Sequence, residues 1–117
     1  MFNVALVLFA LAALGGLWMA VLVFRGAAAP PPAIAAVHGL LAASGIVLLL
    51  VGIIQAGAAG RAGIALALFI VAALGGFTLL SFHLRKRVLP KGIVVVHALV
   101  AVCGFLTLLW AVFGGPA

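Results

Sequence analysis

The sequence predicts an all-α integral membrane protein with four transmembrane helices, arranged as an up-down bundle of two parallel two-helix repeats. Three observations lead to this fold class. Hydrophobic residues make up 70% of the 117 residues, and the chain has no Asp or Glu, whereas a water-soluble surface needs roughly a quarter to a third charged residues. The apolar residues form four continuous runs. The second half of the chain also repeats the first.

Each apolar run is close to the length of about 20 residues that a helix needs to cross a bilayer core about 30 Å thick. The runs are Asn3–Phe24, Ala33–Gln55, Ala62–Leu84 and Gly92–Phe113. They are continuous and not alternating, which favours helices over barrel strands. The first run lacks the basic start of a signal peptide, so we expect a retained span. Short connections make successive helices antiparallel neighbours.

The repeat is visible when the two halves are aligned. Ala5–Arg25 reads ALVLFALAALGGLWMAVLVFR, and Ala65–Arg85, sixty positions on, reads ALALFIVAALGGFTLLSFHLR. With a shift of fifty-nine, Pro31, His38 and Gly45 then align with Pro90, His97 and Gly104. The predicted repeats, residues 3–56 and 62–115, form a single transmembrane four-helix domain over residues 1–117. Two spans per repeat keep the repeats parallel, with their axis along the membrane normal.

Glycine and proline mark corresponding positions of the predicted helices. Gly15–Gly16 in the first helix matches Gly75–Gly76 in the third, and small residues allow membrane helices to approach closely. Pro31 and Pro90 stand at or just before the second and fourth helices, where proline is tolerated. We expect the glycines and prolines to determine how the helices pack and where they begin, and not to form a functional site.

The basic residues predict the orientation of the chain. Arg25 follows the first helix, Arg85, Lys86, Arg87 and Lys91 lie between the third and fourth, and Arg61 lies on the other side. Because cytoplasmic loops carry the excess of Lys and Arg, we expect a multi-pass protein of a bacterial-type inner membrane with both termini outside. Attraction to anionic lipid headgroups would accompany this charge. Nucleic-acid binding is not expected, since the short loops offer no folded basic face or aromatic platform outside the membrane.

His38 and His97 are the strongest candidates for a functional site. Each follows its proline by seven residues, which places it about 10 Å into the membrane. Ionisable residues at this depth are rare, face the interior and mark functional sites. The second and fourth helices should be diagonal partners about 12–14 Å apart, a spacing that suits two imidazoles ligating one haem iron. The sequence therefore predicts a b-type haem on His38 and His97.

Small and basic residues complete the predicted haem site. On the same helix faces as the histidines, at i+4 and i+7, lie Ala42, Gly45, Ala101 and Gly104. These positions would give a planar macrocycle two turns of nearly flat surface. Arg25 and Arg85, with Lys86, Arg87 and Lys91 beside them, could hold the anionic propionates.

Other roles for the histidines stay open at this point. A buried neutral histidine can hydrogen-bond a neighbouring helix and simply lock the bundle. The same nitrogens could ligate the magnesium of a chlorin, or a quinone could bind at this site. A zinc or copper site is less favoured, because it would need His83 as a third protein ligand. We expect His83 to be solvated at the membrane surface, as amphipathic side chains are at helix ends.

Composition also limits the classes of function. The absence of acidic residues excludes the glutamate-dependent mechanism of the small multidrug exporters. No catalytic constellation appears, so we do not expect an enzyme. The expected architecture resembles that of membrane four-helix b-type cytochromes, which implies electron transfer within a larger membrane redox complex. The alternative is a cofactor-free accessory subunit of a respiratory or photosynthetic complex. Either role implies the lipid bilayer and other integral membrane subunits as partners.

Overall fold

The computed structural model describes residues 1–115, and in this range the chain forms four α-helices. They are α1 (Phe2–Phe24), α2 (Pro32–Ala56), α3 (Gly60–Leu84) and α4 (Lys91–Phe113). Each is long and apolar enough to cross a membrane, with a mean hydropathy of 2.4 to 2.5 over its most apolar part. The bundle measures 44 × 19 × 19 Å, and its length matches the about 40–45 Å of a bilayer with its headgroups. The prediction of four long apolar helices that could span a membrane is confirmed.

The helix ends extend slightly beyond the apolar runs. α2 begins at Pro32, and α3 begins at Gly60, two residues before its apolar run. The first turn of a helix needs helical backbone but not apolar side chains, so hydropathy misses these residues. Pro31 and Pro90 are the residues before α2 and α4, as predicted. Gly57 ends α2 with φ +71°, the left-handed conformation that glycine adopts without steric cost.

The helices pack as two hairpins. α1 contacts α2 and α3 contacts α4 along most of their lengths, whereas the contacts of α1 with α4 and of α2 with α3 are less extensive. The pairs α1/α3 and α2/α4 therefore occupy the two diagonals of the bundle. In the first hairpin the start of α1 lies beside the end of α2, because Phe2 contacts Gly52. Further along α1, Gly16 contacts His38, which lies nearer the start of α2.

The core is narrow and centres on two phenyl rings. Phe9 of α1 and Phe69 of α3 stack across one diagonal, with ring centroids 3.7 Å apart and planes within 3°. Positions that align between the halves are buried in both, namely Ala5 with Ala65, Phe9 with Phe69, and Leu49 with Leu108. A separate apolar cluster of Val23, Leu89 and Val94 lies toward one end of the bundle.

The two ends of the bundle differ in charge. We call the end that carries Arg25, Arg85, Lys86, Arg87 and Lys91 the basic end. Arg61 lies at the opposite end, where its guanidinium stands 4.0 Å from the centre of the Trp110 ring. The same side chain donates a hydrogen bond of 3.1 Å to the carbonyl of Gly115. Arg61 thereby connects the start of α3 to the end of α4.

Candidate functional site: a pair of anchored histidines

Each histidine of the predicted pair is anchored to the other helix of its own hairpin. Nδ1 of His38 lies 2.7 Å from the carbonyl oxygen of Ala12, and Nδ1 of His97 lies 2.7 Å from that of Ala72. Because a carbonyl oxygen can only accept, Nδ1 must carry the proton and donate. In a neutral ring this leaves the lone pair on Nε2 of both histidines. The two hydrogen bonds therefore fix the same tautomer in His38 and in His97.

The double glycines make room for these rings. A Cβ atom at Gly16 would stand 3.0 Å from Cε1 of His38, and one at Gly76 would stand 3.2 Å from Cε1 of His97. Gly15 and Gly75 face the Cβ atoms of the same histidines at 3.8 and 3.4 Å. The close helix approach predicted for the glycine pairs thus serves a particular purpose, which is to admit an imidazole to the partner helix's backbone.

The two histidines meet across the α2/α4 diagonal. Their ring centroids are 6.3 Å apart, and the ring planes are inclined by 78°. Metal–imidazole bonds of about 2.0–2.1 Å put the centres of two opposed ligands on one metal about 6 Å apart. The distance between the two ring centres is therefore close to that of two imidazoles bound to one metal ion.

The remaining predicted site residues are not all beside the histidines. Ala42 and Ala101 are half-buried one turn beyond them. Gly45 and Gly104 are covered by phenyl rings, since an added Cβ would stand 2.9 Å from Phe9 and 3.2 Å from Phe69. The flat surface next to each imidazole comes instead from the glycine pair on the neighbouring helix. The repetition of both glycine pairs at the depth of the histidines is the sequence feature that could have revealed this.

The predicted basic ligands lie at the end of the bundle. Arg25 and Arg85 are exposed, and Nε of Arg85 donates to the Ser81 carbonyl at 3.2 Å. The apolar cluster of Val23, Leu89 and Val94 lies at a depth between this basic end and the histidines.

His83 does not join the histidine pair. It lies in the last turn of α3, seven residues beyond Gly76, which is about 10 Å nearer the basic end. Within residues 1–115 no group of three or more His, Cys, Asp or Glu side chains comes together as a metal site. The structure thus brings together two histidines and leaves the third apart.

An apolar surface groove lies beside one histidine of the pair. A groove of about 300 Å³ on the α1–α2 surface extends to His38 and is lined almost wholly by apolar side chains, among them Leu11, Trp18 and Val37. These three side chains are about half exposed, so the groove opens on the outer surface of the bundle.

Comparison of the chain with protein families, curated proteins and solved structures gives no match.

Proposed function

We propose that this chain is a small membrane subunit that binds one b-type haem between α2 and α4, with His38 and His97 as axial ligands, and serves electron transfer in a larger membrane redox complex. The observation that carries the proposal is the 6.3 Å separation of two imidazoles from opposite helices. Both rings use Nδ1 for a backbone carbonyl. Metal-bound histidines are usually oriented in this way, with the second nitrogen donating to a carbonyl or carboxylate.

The chain would hold the haem in a largely apolar environment, and the iron would supply one-electron chemistry. His38 and His97 would hold the group, and the glycine pairs Gly15–Gly16 of α1 and Gly75–Gly76 of α3 would line the site beside the two imidazoles. The carbonyl partners Ala12 and Ala72 would raise the basicity of the ligands. Arg25 and Arg85 are the proposed partners of the propionates. A chlorin could use the same nitrogens.

The electron partner is proposed to be a membrane component. The apolar groove that reaches His38 would allow a quinone to approach one axial ligand from the bilayer. The loops between the helices are short and offer little surface to water, so other integral membrane subunits are the expected neighbours.

We further propose the up-down topology with two parallel repeats, the basic end in the cytoplasm, and both termini outside an inner membrane of bacterial type. The opposite sense of the contacts in the first hairpin supports antiparallel helices. The matched burial of aligned positions supports the repeat. The five cations at one end support the orientation.

A second candidate is the cofactor-free accessory subunit. It is favoured by the hydrogen bonds of 2.7 Å that already tie each histidine to its hairpin partner, because such bonds lock a bundle without any cofactor. In this case the histidines stabilise the fold, and their loss would weaken the protein without removing a chromophore.

An optical spectrum of the purified protein, oxidised and then reduced with dithionite, separates the two candidates. The haem proposal expects a Soret band that shifts on reduction, with sharp reduced bands. His38→Ala and His97→Ala should each abolish these bands, and the control His83→Ala should keep them. A featureless visible spectrum from folded wild-type protein would reject the haem and favour the accessory subunit. A far-red band would indicate a chlorin.

A further inference from the structure

The charges of this chain cannot be balanced by its own side chains. It has six Lys and Arg residues and no Asp or Glu. Five of the six lie at the basic end, where the bundle is 19 × 19 Å in cross-section. The screening length at physiological ionic strength is about 8 Å, so neighbouring cations on this small face repel one another. An external anion is needed to offset that repulsion.

The helix ends add little net charge to the basic end. α2 begins at Pro32 and α4 begins at Lys91, while α1 ends at Phe24 and α3 ends at Leu84 at the same end of the bundle. The partial positive charges of the two helix N-termini are therefore offset by the partial negative charges of the two helix C-termini. The positive charge of this end comes from its basic side chains.

The α3–α4 loop presents its cations beside apolar side chains. The loop turns tightly, with the amide of Lys86 donating to the His83 carbonyl at 3.1 Å and that of Arg87 donating to the Phe82 carbonyl at 2.9 Å. Lys86 has φ +55°, which places it in the left-handed region. Leu84 and Val88, on either side of the cations, are 72% and 68% exposed. This combination suits a membrane interface, where apolar groups contact acyl chains and cations contact phosphates.

We infer that the basic end binds the phosphate headgroups of anionic phospholipids, with Lys86, Arg87 and Lys91 as the principal cations. The length of the bundle, 44 Å, places these side chains at the headgroup level of a bilayer. Lys91 stands 5.7 Å from the Phe24 ring, next to Arg25 in sequence, so the binding surface extends from the loop to the end of α1. The test varies only Lys86, Arg87 and Lys91, because Arg25 is also a proposed partner of the haem propionates.

Retention of lipid by the purified protein tests the inference. The full chain is reconstituted in nanodiscs of equimolar phosphatidylglycerol and phosphatidylcholine with identical acyl chains, and the lipids that stay bound are counted by native mass spectrometry. We expect phosphatidylglycerol to be retained preferentially. The variant Lys86→Asn, Arg87→Gln, Lys91→Gln should lose this preference by about fivefold per removed cation. Asparagine is chosen at position 86 because it tolerates the left-handed backbone.

A matched variant keeps the charge and changes the side chains: Lys86→Arg, Arg87→Lys, Lys91→Arg. It should retain the wild-type preference. Equal retention of the two lipids by the wild-type protein, or an unchanged preference in the neutral variant, would overturn the inference. Solvent counterions or an acidic segment of a partner subunit would then supply the countercharge. Optical spectra of the same samples report the haem separately, so the two proposals can fail independently.

Discussion

A methyl group at position 16 would stand 3.0 Å from Cε1 and 3.3 Å from Nδ1 of His38. The imidazole cannot retreat freely, because Nδ1 is held 2.7 Å from the Ala12 carbonyl. Gly16→Ala must therefore stretch this hydrogen bond or push α1 away from α2. Overpacking of this kind costs about 1–3 kcal/mol.

The neighbouring glycine provides a matched control. A Cβ at Gly15 would meet the Cβ of His38 at 3.8 Å, an ordinary van der Waals contact. Both substitutions gain the same helix propensity, up to about 1 kcal/mol in water, so this gain cancels when they are compared. We expect Gly16→Ala to be less stable than Gly15→Ala by about 1–3 kcal/mol. Gly76→Ala, with its closest contact at 3.2 Å, should lie between them.

Reversible unfolding in mixed micelles, followed by far-ultraviolet circular dichroism, measures these differences. The reasoning would be refuted by equal stabilities of the Gly15→Ala and Gly16→Ala variants. It would also be refuted if Gly16→Ala were the more stable of the two, because the close approach of the imidazole to α1 would then contribute nothing.

Two further predictions concern the core and the orientation. Phe9→Ala should lower the free energy of unfolding by about 3 kcal/mol, because it removes the ring that stacks on Phe69 and covers Gly45. The same micelle assay would contradict this prediction if the loss were smaller than that of the exposed control Phe113→Ala. The topology can be tested with single cysteines in a Cys103→Ser background. A membrane-impermeant maleimide should label Lys86→Cys from the cytoplasmic side and should label Gln55→Cys from the opposite side. Labelling of both cysteines from one side would reject the proposed topology.

The sequence was sufficient for the helices and for the depth of the histidines. Helix length follows from bilayer thickness, and the equal spacing of His38 and His97 from Pro31 and Pro90 places both at one level. Their meeting across the bundle follows because α2 and α4 are diagonal. These features depend on distance along the helix axis, which the chain encodes directly at a fixed rise per residue.

The rotation of each helix could not be predicted in the same way. Lipid is as apolar as the protein interior, so hydrophobicity does not indicate which face is buried. The sequence pattern therefore predicts the macrocycle surface on the histidines' own helices, at Gly45 and Gly104. The structure instead places Phe9 and Phe69 there, and the glycines nearest the imidazoles belong to α1 and α3. The tertiary contacts are needed to know which aromatic or imidazole ring of one helix packs on which glycine of the neighbouring helix.

These ring–glycine contacts have a mechanical consequence. In the first hairpin, Phe9 lies over Gly45 and His38 lies over Gly16, so α1 and α2 engage each other at two levels and from both directions. Sliding one helix along the other would move the Phe9 ring off Gly45 and onto residues that carry side chains, so each hairpin should move as a rigid unit. The contacts between hairpins are less extensive, and His38 and His97 belong to different hairpins. Separation of the two hairpins would move the two imidazoles apart, while each imidazole kept its hydrogen bond to a backbone carbonyl of its own hairpin. A flat molecule that enters between the imidazoles would need this movement.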